Sequence, residues 1–178
     1  MSKAAAPSAL PRPVLPPFQV LLDENRAEVL GFLRALVGAN DAEDCFQETF
    51  ISALDAYPRA DARNLRAWIF TIARRKAIDH HRARSRRPAP AGEAAAVGEG
   101  AIAGGEPSPG GARALDGDVW EHVAALPDKQ RAAIALRFVA DLRYREIGTA
   151  LDCTEAAARR SVHDGLRNLR GAVKKEQE

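Results

Sequence analysis

Residues 126–170 read LPDKQRAAIALRFVADLRYREIGTALDCTEAAARRSVHDGLRNLR. Their apolar residues recur at every third or fourth position, which is the spacing of amphipathic α-helices. This spacing predicts a short helix over Tyr144–Leu151, a tight turn over Asp152–Thr154 and a long helix that begins at Glu155. Two helices joined by a three-residue turn have the layout of a helix-turn-helix, so the C-terminal half is predicted to contain one.

The long last helix carries two different stripes. One is apolar and is expected to face the core, and its members are Ala158, Val162, Leu166, Leu169 and Val173. The other is basic, with Arg159 at its edge, and its members are Arg160, His163, Arg167, Arg170 and Lys174. Such a helix can enter the major groove with its N-terminal residues while its later basic residues meet phosphates. The alternative is a solvated basic face on a purely structural helix.

The N-terminal half is also predicted to be helical. A first helix is predicted to end at Gly38, a residue common just after a helix C-terminus. Its apolar stripe consists of Phe18, Leu22, Val29, Leu33 and Leu36. Asn40, with Glu43 three residues on, predicts the capped start of a second helix, which Pro58 ends. The core face of this second helix consists of Phe46, Phe50, Ala53 and Tyr57. A third helix is predicted over about 65–84, with a buried side that includes Leu65, Trp68, Ile69 and Ile72.

The composition changes sharply between the two halves. Residues 88–111 read PAPAGEAAAVGEGAIAGGEPSPGG and contain no Lys or Arg. Such a segment cannot bury enough apolar surface to offset its ordering entropy, so a flexible, weakly acidic linker is predicted over 88–113. It separates an N-terminal domain, 17–87, from a C-terminal domain, 114–178, and residues 1–16 are predicted to be a disordered, proline-broken tail. The predicted fold class is all-α, with two small helical domains.

Local charge is uneven although the formal net charge is only +2. Residues 73–87 carry a basic block that can track a DNA backbone. The alternative is a helix end with favourable dipole interactions and a solubilising tail. The members of the block are Arg74, Arg75, Lys76, Arg82, Arg84, Arg86 and Arg87. The second helix is acidic, because Asp41, Asp44 and Glu48 share one face beside Gln47. This favours a docking face over a catalytic carboxylate pair, since no His, Ser or Cys constellation accompanies the acids.

The sequence does not indicate catalytic or metal chemistry. Cys45 and Cys153 are far apart and stand where small core residues are expected. His80 and His81 are adjacent, so on a helix they point in different directions and are poorly placed to share a metal. The absence of a long apolar run and of a signal peptide predicts a cytoplasmic protein without membrane insertion. We expect a protein that is not an enzyme and uses no cofactor or metal.

Three segments resemble regions of bacterial sigma factors. DAEDCFQETFISAL at 41–54 is similar to region 2.2, which docks on the clamp of RNA polymerase. LRAWIFTIARRKAIDHHR at 65–82 is similar to regions 2.3 and 2.4, which recognise and open the −10 promoter element. Residues 126–170 are similar to region 4, which reads the −35 element. Regions 2 and 4 with little else are typical of the extracytoplasmic-function (ECF) group, so the resemblance, which covers most of 18–173, implies a promoter-specific initiation factor.

The resemblance also implies roles for individual residues. Those that match the polymerase-docking part are Asp41, Asp44, Gln47 and Glu48. The −10 element would be met by the segment 57–66 and by the face with Arg74, Arg75, Lys76, Asp79 and Arg82. The −35 element would be met by Thr154, Glu155, Ala157, Arg159, Arg160, His163 and Arg167. The implied partners are core RNA polymerase, at its clamp and flap, and promoter DNA; an anti-sigma factor is common in this group, and no motif here identifies one.

The chain departs from the family pattern at several positions. Arg75 stands where Asn is common, and the recognition helix reads EAAARRSVHDG, so promoter preferences do not transfer. Gly165 within that helix costs ~1 kcal/mol of helix stability against Ala and is expected to mark close packing. The competing hypothesis is a stand-alone helix-turn-helix repressor or activator whose N-terminal domain senses a signal or dimerises. The acidic and basic faces of the N-terminal half argue against it, since a repressor needs neither.

Overall fold

The computed structural model describes residues 14–86 and 117–176, and these two ranges are helical with no strand. The α-helices are α1 (Phe18–Val37), α2 (Ala39–Ala56), α3 (Leu65–Arg86), α4 (Gly117–Ala124), α5 (Asp128–Phe138), α6 (Tyr144–Leu151) and α7 (Glu155–Glu176). Two 3₁₀ turns, Tyr57–Arg59 and Ala62–Asn64, connect α2 to α3. The all-α prediction is confirmed. None of these helices combines the length and the apolar character needed to cross a membrane.

The junction between α1 and α2 differs from the predicted one. Gly38 has a φ of +85°, a backbone conformation that costs glycine little, and its N–H donates to the carbonyl of Arg34. Because Gly38 already turns the chain, α2 begins at Ala39, and no side chain caps it. The predicted capping by Asn40 and Glu43 is therefore wrong. Glu43 instead lies 3.8 Å from the guanidinium of Arg34.

The first three helices enclose a core rich in aromatic rings. Phe32 of α1 meets Phe70 of α3 edge to face, with ring centroids 5.4 Å apart, and both side chains are fully buried. The sequence pattern did not predict burial of Phe70. It predicted that Trp68 is buried, whereas Trp68 is only half-buried in the structure. Burial of side chains of this size contributes about 1.5–3 kcal/mol each, so these two rings stabilise the packing of α1 on α3.

The last helices form the predicted helix-turn-helix. Asp152 ends α6 in the left-handed conformation, with a φ of +53°, and the hydroxyl of Thr154 accepts a hydrogen bond from the N–H of Ala157 at the start of α7. Gly165 packs on α5, because a Cβ there would lie 2.9 Å from Cγ1 of Ile134. The close packing expected at this glycine is confirmed. The expectation that Val173 is buried is wrong, since the structure leaves this residue 37% exposed.

The two halves of the chain pack against each other in a way that the sequence did not predict. Helix α1 lies on α5 and helix α3 lies on α6, and one continuous cluster of buried apolar residues includes members from both halves. The predicted linker, 88–113, lies outside the described residues. So does most of the predicted tail, although the Tyr57 hydroxyl donates a 2.6 Å hydrogen bond to the carbonyl of Pro16.

Candidate protein and nucleic-acid interfaces

The exposed side of α2 carries acids next to aliphatic residues. Asp44, Gln47 and Glu48 are all exposed, and we call these three residues the acidic face. Ile51 and Leu54 continue the same side of the helix and are 64% and 54% exposed, which is unusual for residues of their type. Thr49 and Ala53 are buried on the opposite side and hold α2 in the core, so the acidic face is fixed in orientation and open to solvent.

Asp41 has a different environment from the acidic face. Its carboxylate accepts a 2.9 Å hydrogen bond from Arg84 of α3 and lies 3.8 Å from Nε2 of His80. Among the side chains that the structure describes, one further ion pair joins the two helices, from Glu48 to Nζ of Lys76 at 3.7 Å. Ion pairs between partly exposed groups contribute about 0–1 kcal/mol each, so they orient α3 against α2 more than they stabilise the fold. Asp41 is thus engaged within the chain.

Cys45 lies beneath the acidic face and shares its electrostatic field. Burial, together with the carboxylates of Glu48, Asp41 and Asp44, raises the pKa of the Cys45 thiol to about 11. Its side chain is 2% exposed, which confirms the prediction of a small core residue. Cys153, in the turn before α7, is only half-buried.

These environments predict that the two cysteines differ in reactivity. A pKa near 11 in place of 9.0 lowers the thiolate fraction of Cys45 about 100-fold at pH 8. Because a thiolate of higher pKa is also more nucleophilic, we expect iodoacetamide to modify the more accessible Cys153 first and the buried Cys45 at least about tenfold more slowly. Peptide mass spectrometry of a time course measures both rates. The Cys153→Ser variant should leave only the slow phase. Equal rates at the two thiols in the folded protein would contradict this account of the acidic face.

The middle of α3 carries the predicted basic face. Arg75, Asp79 and Arg82 are exposed one helical turn apart, and none has an ion-pair partner within the described ranges. Arg74 and Lys76 are half-buried, and Lys76 is the residue paired with Glu48. The exposed members form a strip that is accessible to a polyanion.

The segment before α3 is held by local hydrogen bonds. Asp61 accepts from the backbone N–H of Arg63 at 3.0 Å and from its guanidinium at 3.0–3.2 Å. This pairing raises the pKa of the Arg63 guanidinium above its ordinary value. At the end of the segment, Arg66 donates a 2.6 Å hydrogen bond to the carbonyl of Ala140 in the C-terminal half and lies 3.8 Å from Glu28. Arg66 therefore belongs to the contact between the two halves.

The start of α7 presents the residues predicted to read DNA. Thr154, Glu155, Arg159, Arg160, His163 and Arg167 are exposed, whereas Ala157 is half-buried. Glu155, Arg159, Arg160 and His163 line an open groove of about 600 Å³ together with Ala156. The basic stripe predicted along this helix is confirmed, since each member is exposed.

The two neighbouring arginines of α7 differ in a way that the sequence did not reveal. The guanidinium of Arg159 donates a 3.1 Å hydrogen bond to Glu155 and lies 4.9 Å from the ring centroid of Tyr144. Tyr144 begins α6, so its position beside α7 depends on the fold of the turn. Arg160 makes no ion pair within the described ranges and is the more available donor.

No group of three or more His, Cys, Asp or Glu residues is placed to hold a metal ion within 14–86 and 117–176. His80 contacts the carboxylate of Asp41, and His81 contacts the carbonyl of Leu36, so the two imidazoles serve different partners. The side chains gathered at the exposed faces are charged and solvated. They are suited to binding a charged partner.

Each half of the chain matches a known protein family. Residues 21–87 match the model of sigma-70 region 2, and residues 117–169 match the model of sigma-70 region 4. The two matches coincide with the helical ranges described above and together cover more than half of the chain.

Similar proteins include curated relatives and a solved structure. The ECF RNA polymerase sigma factor SigF of Caulobacter vibrioides is 32% identical over 141 residues, which cover 78% of this chain and 74% of that protein. The ECF RNA polymerase sigma factor SigD of Mycobacterium tuberculosis is 30% identical over 164 residues, which cover 86% and 75%. The sigma factor RpoE of Bartonella quintana, solved in complex with the anti-sigma factor NepR, has a similar fold with a TM-score of 0.69. It is 22% identical, and the match covers 88% of this chain and 96% of that one.

Proposed function

Because the chain belongs to the ECF sigma factors, which direct RNA polymerase to promoters, we propose that three of its exposed faces divide this task. The acidic face of α2 binds core RNA polymerase, the basic strip of α3 meets the −10 element, and the start of α7 reads the −35 element. The observation that carries the proposal is the separation of charge. The exposed face of α2 is acidic, whereas arginines dominate the exposed faces of α3 and α7, which also carry the acids Asp79 and Glu155.

The proposed polymerase contact uses Asp44, Gln47 and Glu48. Their fixed orientation and exposure suit a basic helical surface of the clamp, and electrostatic complementarity between such surfaces speeds association and sets the register. Asp41 has a smaller part in this proposal, since Arg84 and His80 already engage its carboxylate. We assign contact with the flap of the polymerase to the C-terminal domain.

The proposed −10 contact combines Arg75, Asp79 and Arg82 with the segment 57–66. Arginine side chains on one exposed side of a helix can follow the phosphates of a DNA strand. The pairing of Asp61 with Arg63 holds the preceding segment in a defined shape, which favours capture of an unpaired base. Lys76 joins this face when its contact with Glu48 is released.

The proposed −35 contact depends on the first two turns of α7. Thr154 caps the helix, and Glu155 and Tyr144 hold Arg159 in place. Arg160 remains available to base edges, and the exposed His163 lies 3.7 Å from the carboxylate of Asp164. Arg167 and Arg170 lie later on the same exposed side and are assigned to phosphates.

Two substitutions on α7 are expected to separate base reading from phosphate contact. Arg160→Ala should cost ~1–3 kcal/mol on a matched −35 element if its guanidinium makes a bidentate contact with guanine. Arg170→Ala should weaken binding equally on matched and scrambled elements and give a shallower salt dependence. Fluorescence anisotropy with both duplexes at several salt concentrations measures these effects. Equal losses from Arg160→Ala on the two duplexes would reassign it to a phosphate.

We also propose a protein antagonist of the anti-sigma type. The RpoE relative in fold is bound to NepR, and the acidic face with Ile51 and Leu54 offers an exposed amphipathic surface that such a protein would cover in competition with polymerase. Occupation of this one surface would be sufficient to prevent assembly of the initiation complex.

The decisive experiment for the proposed function is run-off transcription with purified core RNA polymerase, followed by mapping of the start sites. We expect specific transcripts only when the protein is added. The competing repressor hypothesis is tested by the same protein in DNA-binding assays with and without core polymerase. A repressor would bind its DNA equally well in both, whereas an initiation factor requires the polymerase for strong binding.

A further inference from the structure

A hydrogen bond joins the residues before α1 to the segment that precedes α3. The Tyr57 hydroxyl donates to the carbonyl oxygen of Pro16 at 2.6 Å, across 41 residues of the chain. Tyr57 is only 9% exposed, and its ring meets the ring of Phe18 edge to face, with centroids 5.1 Å apart. The ring of Trp68 in α3 lies near it as well, with centroids 6.2 Å apart. Contacts from the start of α1 and from α3 therefore fix the position of Tyr57.

The acceptor of this hydrogen bond lies in a stiff stretch of chain. Pro16 and Pro17 are consecutive, and each proline ring fixes its φ at about −65° and biases the preceding residue toward extended backbone. Pro17 has a φ of −54° and a ψ of 139°, and its carbonyl accepts a 3.0 Å hydrogen bond from the N–H of Val20 in α1. We call Pro16 and Pro17 the proline anchor. Because the anchor is held by α1, little conformational entropy is lost when Tyr57 binds it.

The position of Tyr57 is passed on to the residues that follow it. Tyr57 is the first residue of the segment 57–66, which the proposed function assigns to the −10 element. Its carbonyl accepts a 2.9 Å hydrogen bond from the N–H of Ala60, and the carbonyl of Asp61 accepts a 3.1 Å bond from the N–H of Asn64. These bonds close two consecutive turns, so a displacement of Tyr57 would move both.

We propose that Tyr57 is a positioning residue for the −10 contact and that it acts through the proline anchor. The anchor fixes the first end of the segment 57–66 before DNA binds, so that less ordering is required when an unpaired base is captured. This inference rests on the proposed function, which assigns the segment 57–66 to the −10 element. It gives a role to Pro16, which lies in the stretch that the sequence predicted to be a disordered tail.

Removal of the donor is the first test. Tyr57→Phe deletes the hydroxyl and keeps the ring that packs on Phe18. The amides of Ala60 and Asn64 should exchange hydrogen about three- to tenfold faster, which corresponds to the loss of one neutral hydrogen bond. The complex with core polymerase should bind a single-stranded oligonucleotide, carrying the −10 sequence mapped from the run-off start sites, more weakly by a similar factor. Capture of core polymerase and binding to a −35 duplex should not change.

Removal of the acceptor is the second test. Replacing residues 1–17 by Met deletes Pro16 but leaves a carbonyl for the N–H of Val20, whereas replacing residues 1–13 by Met keeps the proline anchor and is the matched control. The first truncation should reproduce the loss caused by Tyr57→Phe, and the second should cause none. Tyr57→Phe in the first truncation should add less than about twofold, because both changes break the same bond.

A control at another buried hydroxyl separates positioning from general stability. Thr49 donates a hydrogen bond of the same length, 2.6 Å, to the carbonyl of Cys45 within α2. Thr49→Val removes this bond and should change neither hydrogen exchange in the segment 57–66 nor affinity for the −10 oligonucleotide.

Each outcome bears on one of the two proposals. The positioning role would be overturned by unchanged hydrogen exchange or unchanged −10 affinity in Tyr57→Phe, by an equal loss of polymerase capture, or by the same loss in the control truncation. If the complex of the wild-type protein with core polymerase failed to bind the −10 oligonucleotide, the assignment of the segment 57–66 would be refuted, and with it the role of Tyr57 in DNA binding. Hydrogen exchange would then still determine whether the proline anchor orders this segment.

Discussion

Reversal of charge on the acidic face, Asp44→Arg with Glu48→Arg, is expected to abolish binding of core RNA polymerase. Both side chains are exposed one helical turn apart, and the proposed partner is basic, so each new arginine meets like charge. Like-charge contacts across an interface cost several kcal/mol, which corresponds to at least about a 100-fold loss of affinity. Co-purification with core polymerase and titration by fluorescence measure the loss directly.

The fold should survive this double substitution. Exposed substitutions shift stability by under ~0.5 kcal/mol, and the ion pair that the change removes, Glu48 with Lys76 at 3.7 Å, is itself partly exposed. The matched control is Asp23→Arg with Glu24→Arg, which makes the same change of charge at exposed positions of α1. A double variant at Asp44 and Glu48 that remains folded by circular dichroism and captures polymerase as well as wild type would refute the docking assignment.

Gly148→Val is expected to weaken binding to the −35 element strongly while leaving polymerase capture by the N-terminal domain. A Cβ at position 148 would lie 2.8 Å from the carbonyl oxygen of Cys153 and 3.3 Å from the backbone N of Glu155. Both are backbone atoms of the turn into α7, and the Gly148 carbonyl also accepts the 2.8 Å hydrogen bond from the N–H of Cys153. The side chain therefore cannot fit unless α7 moves away from α6.

The expected loss of affinity for the −35 duplex is large because the C-terminal domain is small. Overpacking costs about 1–3 kcal/mol in a core, and a helical domain of this size has little stability in reserve. Anisotropy with a −35 duplex should show at least about a tenfold weaker affinity, and thermal unfolding should begin at a lower temperature. Thr149→Val introduces the same side chain at the exposed next position and should affect neither. Equal affinity of the Gly148→Val and Thr149→Val variants for the duplex would contradict this prediction. It would mean that the turn accommodates the added side chain without losing DNA binding.

The helices of both halves could be predicted because their information is local. Apolar spacing and the turn over Asp152–Thr154 predicted α6 and the start of α7 at the residues where the structure has them. The capping prediction at Asn40 failed because Gly38, which has a positive φ, already turns the chain between α1 and α2. Helix α2 therefore begins at Ala39, before the predicted cap. The predicted burial of Val173 failed for a different reason. The apolar spacing along α7 is local, whereas burial requires another helix over the same turn, and Val173 is exposed.

The sequence by itself determined the helical elements, the stripes of charge and the family, because residues three or four apart along one helix share a face whatever surrounds them. Which charged groups remain available depends on the tertiary structure. Asp41 is bound by Arg84 from 43 residues away, and Arg66 donates to Ala140 across 74 residues, so no local pattern contains either contact. The close packing of Gly31 on Val139 depends in the same way on how the two halves meet, because it requires two helix surfaces that fit each other in space.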